Sequence, residues 1–337
     1  VAARRLRESF AIGNVRVRAG SAKEVELPIT RLVTGGDVSL PVRVLHGREP
    51  GPVVWVNAAI HGDEVGGVEV IRQALASLSA RTLRGTLVAV PVVNVLGFMS
   101  GDRYLPDRRD LNRSFPGSSR GSLASRIAKL FMTEVVSKCE VGIDLHTASD
   151  RRTNLPQIRA DLDDPRTREL AEAFGAPVML HARIRDGSLR QAAREAGACV
   201  LLYEAGEALR FEHEPIAVGV AGVRRVLASL GMIDLEPAEL ATTEGAPPPV
   251  ETRTSGWVRA RGTGILHLEV ELGDTVADGQ RLGGLTDTFG RRVRLVHADR
   301  PGIVIGMSRA PIVNAGDALV HVATPVGVEP GAAGFTG

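Results

Sequence analysis

Two short motifs set metal-ligating side chains beside apolar runs. His61-Gly62-Asp63-Glu64 follows the run Pro52–Ile60, and Asp144-Leu145-His146 closes the run that begins at Val141. An imidazole and a carboxylate three residues apart across a turn that Gly62 permits can aim at one point and offer nitrogen and oxygen to a cation. H-x-x-E alone is a weak pattern, and a chain with eight histidines meets it by chance. His146 adds weight, because ligands of open α/β sheets bind beyond the carboxyl ends of the strands, where both motifs fall. Two histidines and a glutamate with a fourth position open to water are a catalytic zinc set. Asp144 shares the strand face of His146 and can orient it; a strand-end ion pair is the competing reading. Glu204 ends a third run, Cys199-Val200-Leu201-Leu202-Tyr203. A carboxylate there is costly without a partner. Near a metal it can take a proton from water and pass it to a leaving amine. A capping or ion-paired surface glutamate is the alternative.

A fourth segment is polar and irregular: Arg103-Tyr104, then Asp110-Leu111-Asn112-Arg113-Ser114-Phe115-Pro116-Gly117. A long loop without regular structure inside a compact domain usually serves function. Arginines there suit bidentate recognition of a carboxylate or stabilisation of an oxyanion. Most arginines of this chain must be ordinary surface residues, so only the motif context singles out Arg103 and Arg113.

The elements around these motifs follow from hydrophobic period. Residues 10–47 alternate apolar and polar, which predicts short antiparallel strands. Residues 52–60, 86–95, 141–146 and 198–204 read as buried strands, with 178–181 a shorter one. Helical spacing marks 64–78, 122–136, 166–174, 188–196 (capped by Ser188) and 214–230. Alternating strands and helices predict an α/β domain, its sheet mixed but mainly parallel and flanked by helices. Residues 1–48 are expected to form strands packed on a catalytic domain over 49–233. Residues 234–252, rich in Glu, Ala, Thr and Pro, read as a linker. Residues 253–325 show short apolar segments between Gly-Asp, Asp-Gly and Gly-Gly turns, which predicts a small all-β domain before a tail over 326–337. Gly264-Ile265-Leu266 leading to Val276–Gly279, and Gly302-Ile303-Val304 leading to Val313–Asp317, form an internal repeat. This segment resembles the biotinyl/lipoyl hammerhead. The chain has lysines only at 23, 129 and 138, so the acceptor lysine of that fold is missing.

Composition narrows the chemistry. The 337 residues carry 41 Lys+Arg against 39 Asp+Glu, a balance that gives no nucleic-acid footprint and no basic membrane surface. No apolar run approaches the ~20 residues of a membrane span. The basic start, Val1 to Arg5, leads into no signal-type segment, so a cytoplasmic location is expected. Two cysteines, Cys139 and Cys199, exclude a disulfide framework or a Cys-rich metal site. The other histidines receive ordinary readings: His46 before a turn, His181 and His213 near the catalytic domain with pocket lining as the alternative, and His267, His297 and His321 as surface or strand residues of the β segment.

Taken in order, H-G-D-E, D-L-N-R-S-F-P-G, D-L-H and E-x-G closely resemble the succinylglutamate desuccinylase/aspartoacylase family, within the wider zinc-carboxypeptidase-like fold. The resemblance spans about residues 50–230. It implies one zinc per chain bound by His61, Glu64 and His146, with Glu204 as general base and then acid. It implies that Asn112 and Arg113 hold a substrate carboxylate and that Arg103 polarises the scissile carbonyl. One departure is that aspartoacylase draws a tyrosine from its C-terminal part into the pocket, whereas no tyrosine follows Tyr203 here. The layout resembles bacterial deacylases, including N-acetyl-diaminobutyrate deacetylases. The expectation is a zinc amidohydrolase acting on an N-acylated amino acid or similar small molecule bearing a carboxylate. A zinc carboxypeptidase for short peptides and a non-catalytic metal-binding module are the rivals. A homo-oligomer formed through exposed β edges is a further expectation.

Overall fold

The structure, a computed structural model, describes residues 7–149, 151–237, 239 and 248–328. Within the expected linker, residues 238 and 240–247 lie outside the described residues, as do residues 329–337 of the expected tail. Among the described residues no helix is long and apolar enough to cross a membrane.

The chain opens with a small hairpin, β1 (Phe10–Ile12) and β2 (Val15–Val17), then two long antiparallel strands, β3 (Ser21–Arg31) and β4 (Asp37–His46). The long pair joins the edge of the main sheet through β6 (Arg84–Val90), beside β5 (Glu49–Ala58). β7 (Val141–His146), β8 (Arg152–Ala160), β9 (Val178–His181) and β10 (Cys199–Glu207) follow. The C-terminal strands are β11 (Val250–Arg259), β12 (Gly264–Leu268), β13 (Thr275–Val276), β14 (Arg281–Thr286), β15 (Arg292–His297), β16 (Gly302–Ser308), β17 (Ile312–Val313) and β18 (Ala318–Pro325).

Twelve strands form one sheet in the order β13-β16-β18-β11-β9-β8-β10-β7-β5-β6-β4-β3. Its heart, β10-β7-β5-β6, is parallel. Within the expected catalytic domain the sheet is mixed and mainly parallel, as expected, four of its five neighbouring pairs running parallel; over all twelve strands five pairs run parallel and six antiparallel. The antiparallel pair inside that domain is β8–β10, β8 being a strand that sequence reading passed over; the other antiparallel pairs involve the N- and C-terminal strands. Residues 253–325 hold strands only, as expected, with an apolar core drawn from residues 258–322. Their strands are also continuous with the main sheet, because β11 pairs in parallel with β9 and β16 pairs with β8. The remaining strands make a four-stranded sheet, β15-β14-β12-β17. The internal repeat is expressed as an exchange: β17 of the second half pairs with β12 of the first, and β13 of the first with β16 of the second. A shared apolar core that includes Val258, Leu282, Leu285, Val304 and Leu319 joins the two sheets there.

Period-two alternation sorts the central strands between two cores. Val54 and Val56, Ile143 and Leu145, and Leu201 and Tyr203 face α1 (Gly66–Ala76), α4 (Pro165–Phe174) and α6 (His213–Ser229). Trp55, Val88 and Val200 face α3 (Leu123–Glu134) and α5 (Leu189–Glu195) on the opposite side. α3 begins at Ser122, whose side chain accepts from Ser125 N, and α5 at Ser188, which accepts from Gln191 N. A short helix, α2 (Val95–Ser100), follows β6. Asn57, Asp144, His146 and Glu204 belong by parity to the α3/α5 side, so continuing the strand pattern by one or two residues delivers the polar groups to one place.

Candidate metal centre and its pocket

His61 sits three residues past β5 and two after Ala59, whose φ of 49° is left-handed and strained for a residue with a Cβ. Gly62 is required by crowding and not by turn geometry. A Cβ there would lie 2.1 Å from Gly97 C and 2.3 Å from Phe98 N, so α2 can pack against this turn only if position 62 is glycine. Glu64 precedes α1, which approaches the sheet closely at Gly67.

The three expected ligands come together. His61 Nδ1 is 2.7 Å from Glu64 Oε1 and His146 Nδ1 is 2.6 Å from Glu64 Oε2, all three side chains being buried. One ligand atom from each lies within 4.8 Å of the others. Burial opposes ionisation of Glu64, but the two imidazoles outweigh it and hold the carboxyl well below the usual range. Burial likewise opposes a charged His146, and Asp144 and Glu64 overcome it, raising its pKa well above the ordinary value. The cluster therefore favours positive charge at its centre. Asp63, Glu64, Asp110 and Asp144 gather here, with Arg103 as the guanidinium partner of Glu64 and Asp110. Two imidazoles, a carboxylate and this excess of negative charge fit a divalent cation.

A buried relay stands behind His146. Its Nε2 is 3.0 Å from Asp144 Oδ2, Asn57 Nδ2 donates to Asp144 Oδ1 at 2.6 Å, and Trp55 Nε1 donates to Asn57 Oδ1 at 2.8 Å. Gly142 makes room for the indole, since a Cβ there would fall 2.0 Å from the ring. This chain fixes the imidazole and leaves Nδ1 for the metal side.

Arg103 bridges Glu64 Oε1 (3.3 Å) and Asp110 Oδ2 (3.2 Å), and Asp110 Oδ1 is also 3.2 Å from His61 Nε2. Asp110 lies inside a motif read from sequence but had no role assigned. Its local spacing gives the signal: it caps the turn Leu111–Arg113 by accepting from Asn112 N. Asn112 is buried, and its Oδ1 accepts from Leu189 N at the start of α5, which leaves its amide nitrogen for a ligand. Arg113 donates to the Asn112 carbonyl.

Glu204 is the register partner of His146 across β10 and β7. Tyr203 points the other way, its hydroxyl donating to Pro215 O and its ring packed on Phe174. Glu204 shares with His61, Glu64, His146, Arg103, Asn112 and Arg113 a cavity of about 690 Å³, within the range of small-molecule sites. Eight arginines line it against two carboxylates, Glu64 and Glu204. Arg190 is nine-tenths buried, its Nη1 has no hydrogen-bond partner, and burial with neighbouring Arg159 lowers its pKa to about 10. Such a wall suits an anionic ligand. Sequence reading missed Asn154, Arg159 and Arg190. It also missed His321, read as a surface or strand residue, which is a buried strand residue lining the same cavity.

A second trio, Asp161, Asp163 and His181, also gathers ligand atoms. It is an ion-pair network. Arg194 and Arg253 pair with the two carboxylates, and His181 Nδ1 accepts from Leu162 N.

Comparison with known proteins agrees with this geometry. The sequence profile of the succinylglutamate desuccinylase/aspartoacylase catalytic domain matches residues 50–230. An N-alpha-acetyl-L-2,4-diaminobutyric acid deacetylase of Halomonas elongata is 30% identical over 316 residues, 90% of this chain and 91% of that protein. A succinylglutamate desuccinylase of Burkholderia cenocepacia is 29% identical over 182 residues, 49% of this chain and 52% of that protein. The crystal structure of a succinylglutamate desuccinylase/aspartoacylase from Rhodobacter sphaeroides superposes with a TM-score of 0.79 at 28% identity, covering 90% of this chain and 95% of that one.

Proposed function

Since the chain belongs to the succinylglutamate desuccinylase/aspartoacylase family, we propose that it is a zinc-dependent amidohydrolase that removes the acyl group from an N-acylated amino acid or similar small molecule bearing a carboxylate. The observation that carries this reading is the convergence of His61, Glu64 and His146 in the cavity that Glu204 also lines. Relatives named as deacylases support amide hydrolysis as the reaction class.

When bound, zinc supplies Lewis acidity that polarises a carbonyl and makes water more acidic. His61, Glu64 and His146 hold the ion. Glu204 takes the proton from the attacking water and returns it to the departing amine. Arg103 donates to the carbonyl oxygen as negative charge builds on it, a contribution that grows in a cavity shielded from water. Arg113 and the Asn112 amide hold the substrate carboxylate, which fixes the scissile bond relative to Glu204.

The test compares amine release from a panel of N-acyl amino acids with release from dipeptides by the zinc-loaded protein. Turnover of the first and not the second is expected; dipeptide turnover alone would reassign the protein as a peptidase. Glu204→Gln is expected to retain zinc while losing at least about 100-fold in kcat, the scale of a lost general base. Loss of zinc in that variant would make Glu204 a ligand.

A further inference from the structure

β8 grips Glu204 at both oxygens. Asn154 Nδ2 donates to Oε2 at 2.9 Å, and Arg159 Nη1 stands 3.6 Å from Oε1. Residues five apart in a regular strand face opposite sides. Here the pairing shifts: Gln157 is opposite Glu204, but Asn154 is opposite Gly206, so three steps on β8 match two on β10. This bulge turns Asn154 onto the face that Arg159 already occupies.

The far side of Asn154 meets the C-terminal strands. In the β16–β8 pairing, Gly306 is opposite Asn154. A Cβ on Gly306 would lie 2.9 Å from Asn154 Oδ1, 3.3 Å from His321 Cβ and 3.4 Å from the Trp257 ring. Trp257 is itself stacked on His321 (centroids 4.7 Å apart, planes 15° apart) and lies under Arg152. Asn154 is thus closed in between a carboxylate on one side and a strand backed by an aromatic stack on the other. A flipped amide would set its oxygen against Glu204.

We infer that Gly306 and Asn154 form a clamp through which the C-terminal strands fix the orientation of the Glu204 carboxylate, so that Asn154 is a positioning residue for this base. The role given to Glu204 rests on the function proposed above, whereas the clamp itself is a statement about position. Gly306 has no left-handed φ, so alanine there alters only the space available.

Two variants and two kinds of readout test the clamp. Gly306→Ala should displace the Asn154 amide and lower kcat by about 10–100-fold, the scale of an ångström-level misplacement, with KM, zinc content and melting temperature close to wild type. Asn154→Asp sets a second carboxylate beside Glu204 and should move the acidic limb of the pH–rate profile upward, a change that loosened packing would not produce. Wild-type kcat in Gly306→Ala, or an unmoved acidic limb in Asn154→Asp, would overturn the proposal. A crystal structure of Gly306→Ala reads the clamp without any substrate. A rotated Glu204 carboxylate supports it even if the proposed amide hydrolysis fails, and an unmoved carboxylate beside a displaced Asn154 refutes it.

Discussion

His146 has one ring nitrogen on Glu64 and the other on Asp144. Asp144 is in turn held by Asn57, and Asn57 by Trp55. Each member of this relay is buried, so each loses more by missing a partner than a surface group would. Asp144→Asn keeps the shape but weakens the grip on the imidazole. Zinc affinity, measured by competition with a chelator, should fall about 10–100-fold, the usual effect of losing a partner behind a ligand; unchanged affinity would detach Asp144 from the metal centre. His61, Glu64, His146 and Asp144 were legible in the sequence because each sits at or just beyond an apolar run, where a polar side chain needs a reason. Asp110 was less legible, because an aspartate in a polar loop signals only the turn that it caps, not a place beside His61. Arg190 was hidden among many arginines, and nothing local in α5 marks it as buried.

At the scale of elements, β5, β7 and β10 could be read from their continuous apolar runs, and β7 falls on the residues expected, Val141–His146. The helices match to within about two residues at either end because their apolar spacing and the caps Ser122 and Ser188 are local signals. β8 was missed for a physical reason. Arg152-Thr153-Asn154-Leu155-Pro156-Gln157-Ile158-Arg159-Ala160 has a proline in mid-strand and no period-two alternation. The bulge that breaks its period is also what lets Asn154 and Arg159 reach one carboxylate. Gly62 was read as permitting the turn; the close approach of α2, a tertiary fact, is what excludes a side chain there.

Over the whole molecule, the C-terminal strands are continuous with the sheet that carries the candidate metal cluster, and they bring His321 and Trp257 to the cavity wall. That continuity has a consequence for pH. Burial, reinforced by Arg159, Arg300 and Arg152, pushes the His321 imidazole down to about 3 from an ordinary 6.5. Its neutral form is the one the fold accepts, so the unfolded chain binds the extra proton first. The stability this group contributes is fully present above about pH 6.5 and is lost as pH falls towards 3. Denaturant melts at pH 7 and pH 4.5 should therefore show a smaller loss of stability for His321→Gln than for wild type; equal losses would remove His321 as a source of acid sensitivity. The repeat in residues 264–317 was legible as two similar halves, but their exchange of short strands and their attachment to β8 and β9 depend on contacts far apart in sequence.

The measurement that bears most directly on the central claim is a zinc titration of metal-stripped protein, with amine release from an N-acyl amino acid as the readout. With His61, Glu64 and His146 as the proposed ligands and Glu204 as the proposed general base, the rate should rise with added zinc and saturate at one ion per chain. Full activity in the stripped protein, or no hydrolysis of any N-acyl amino acid at any zinc loading, would contradict it.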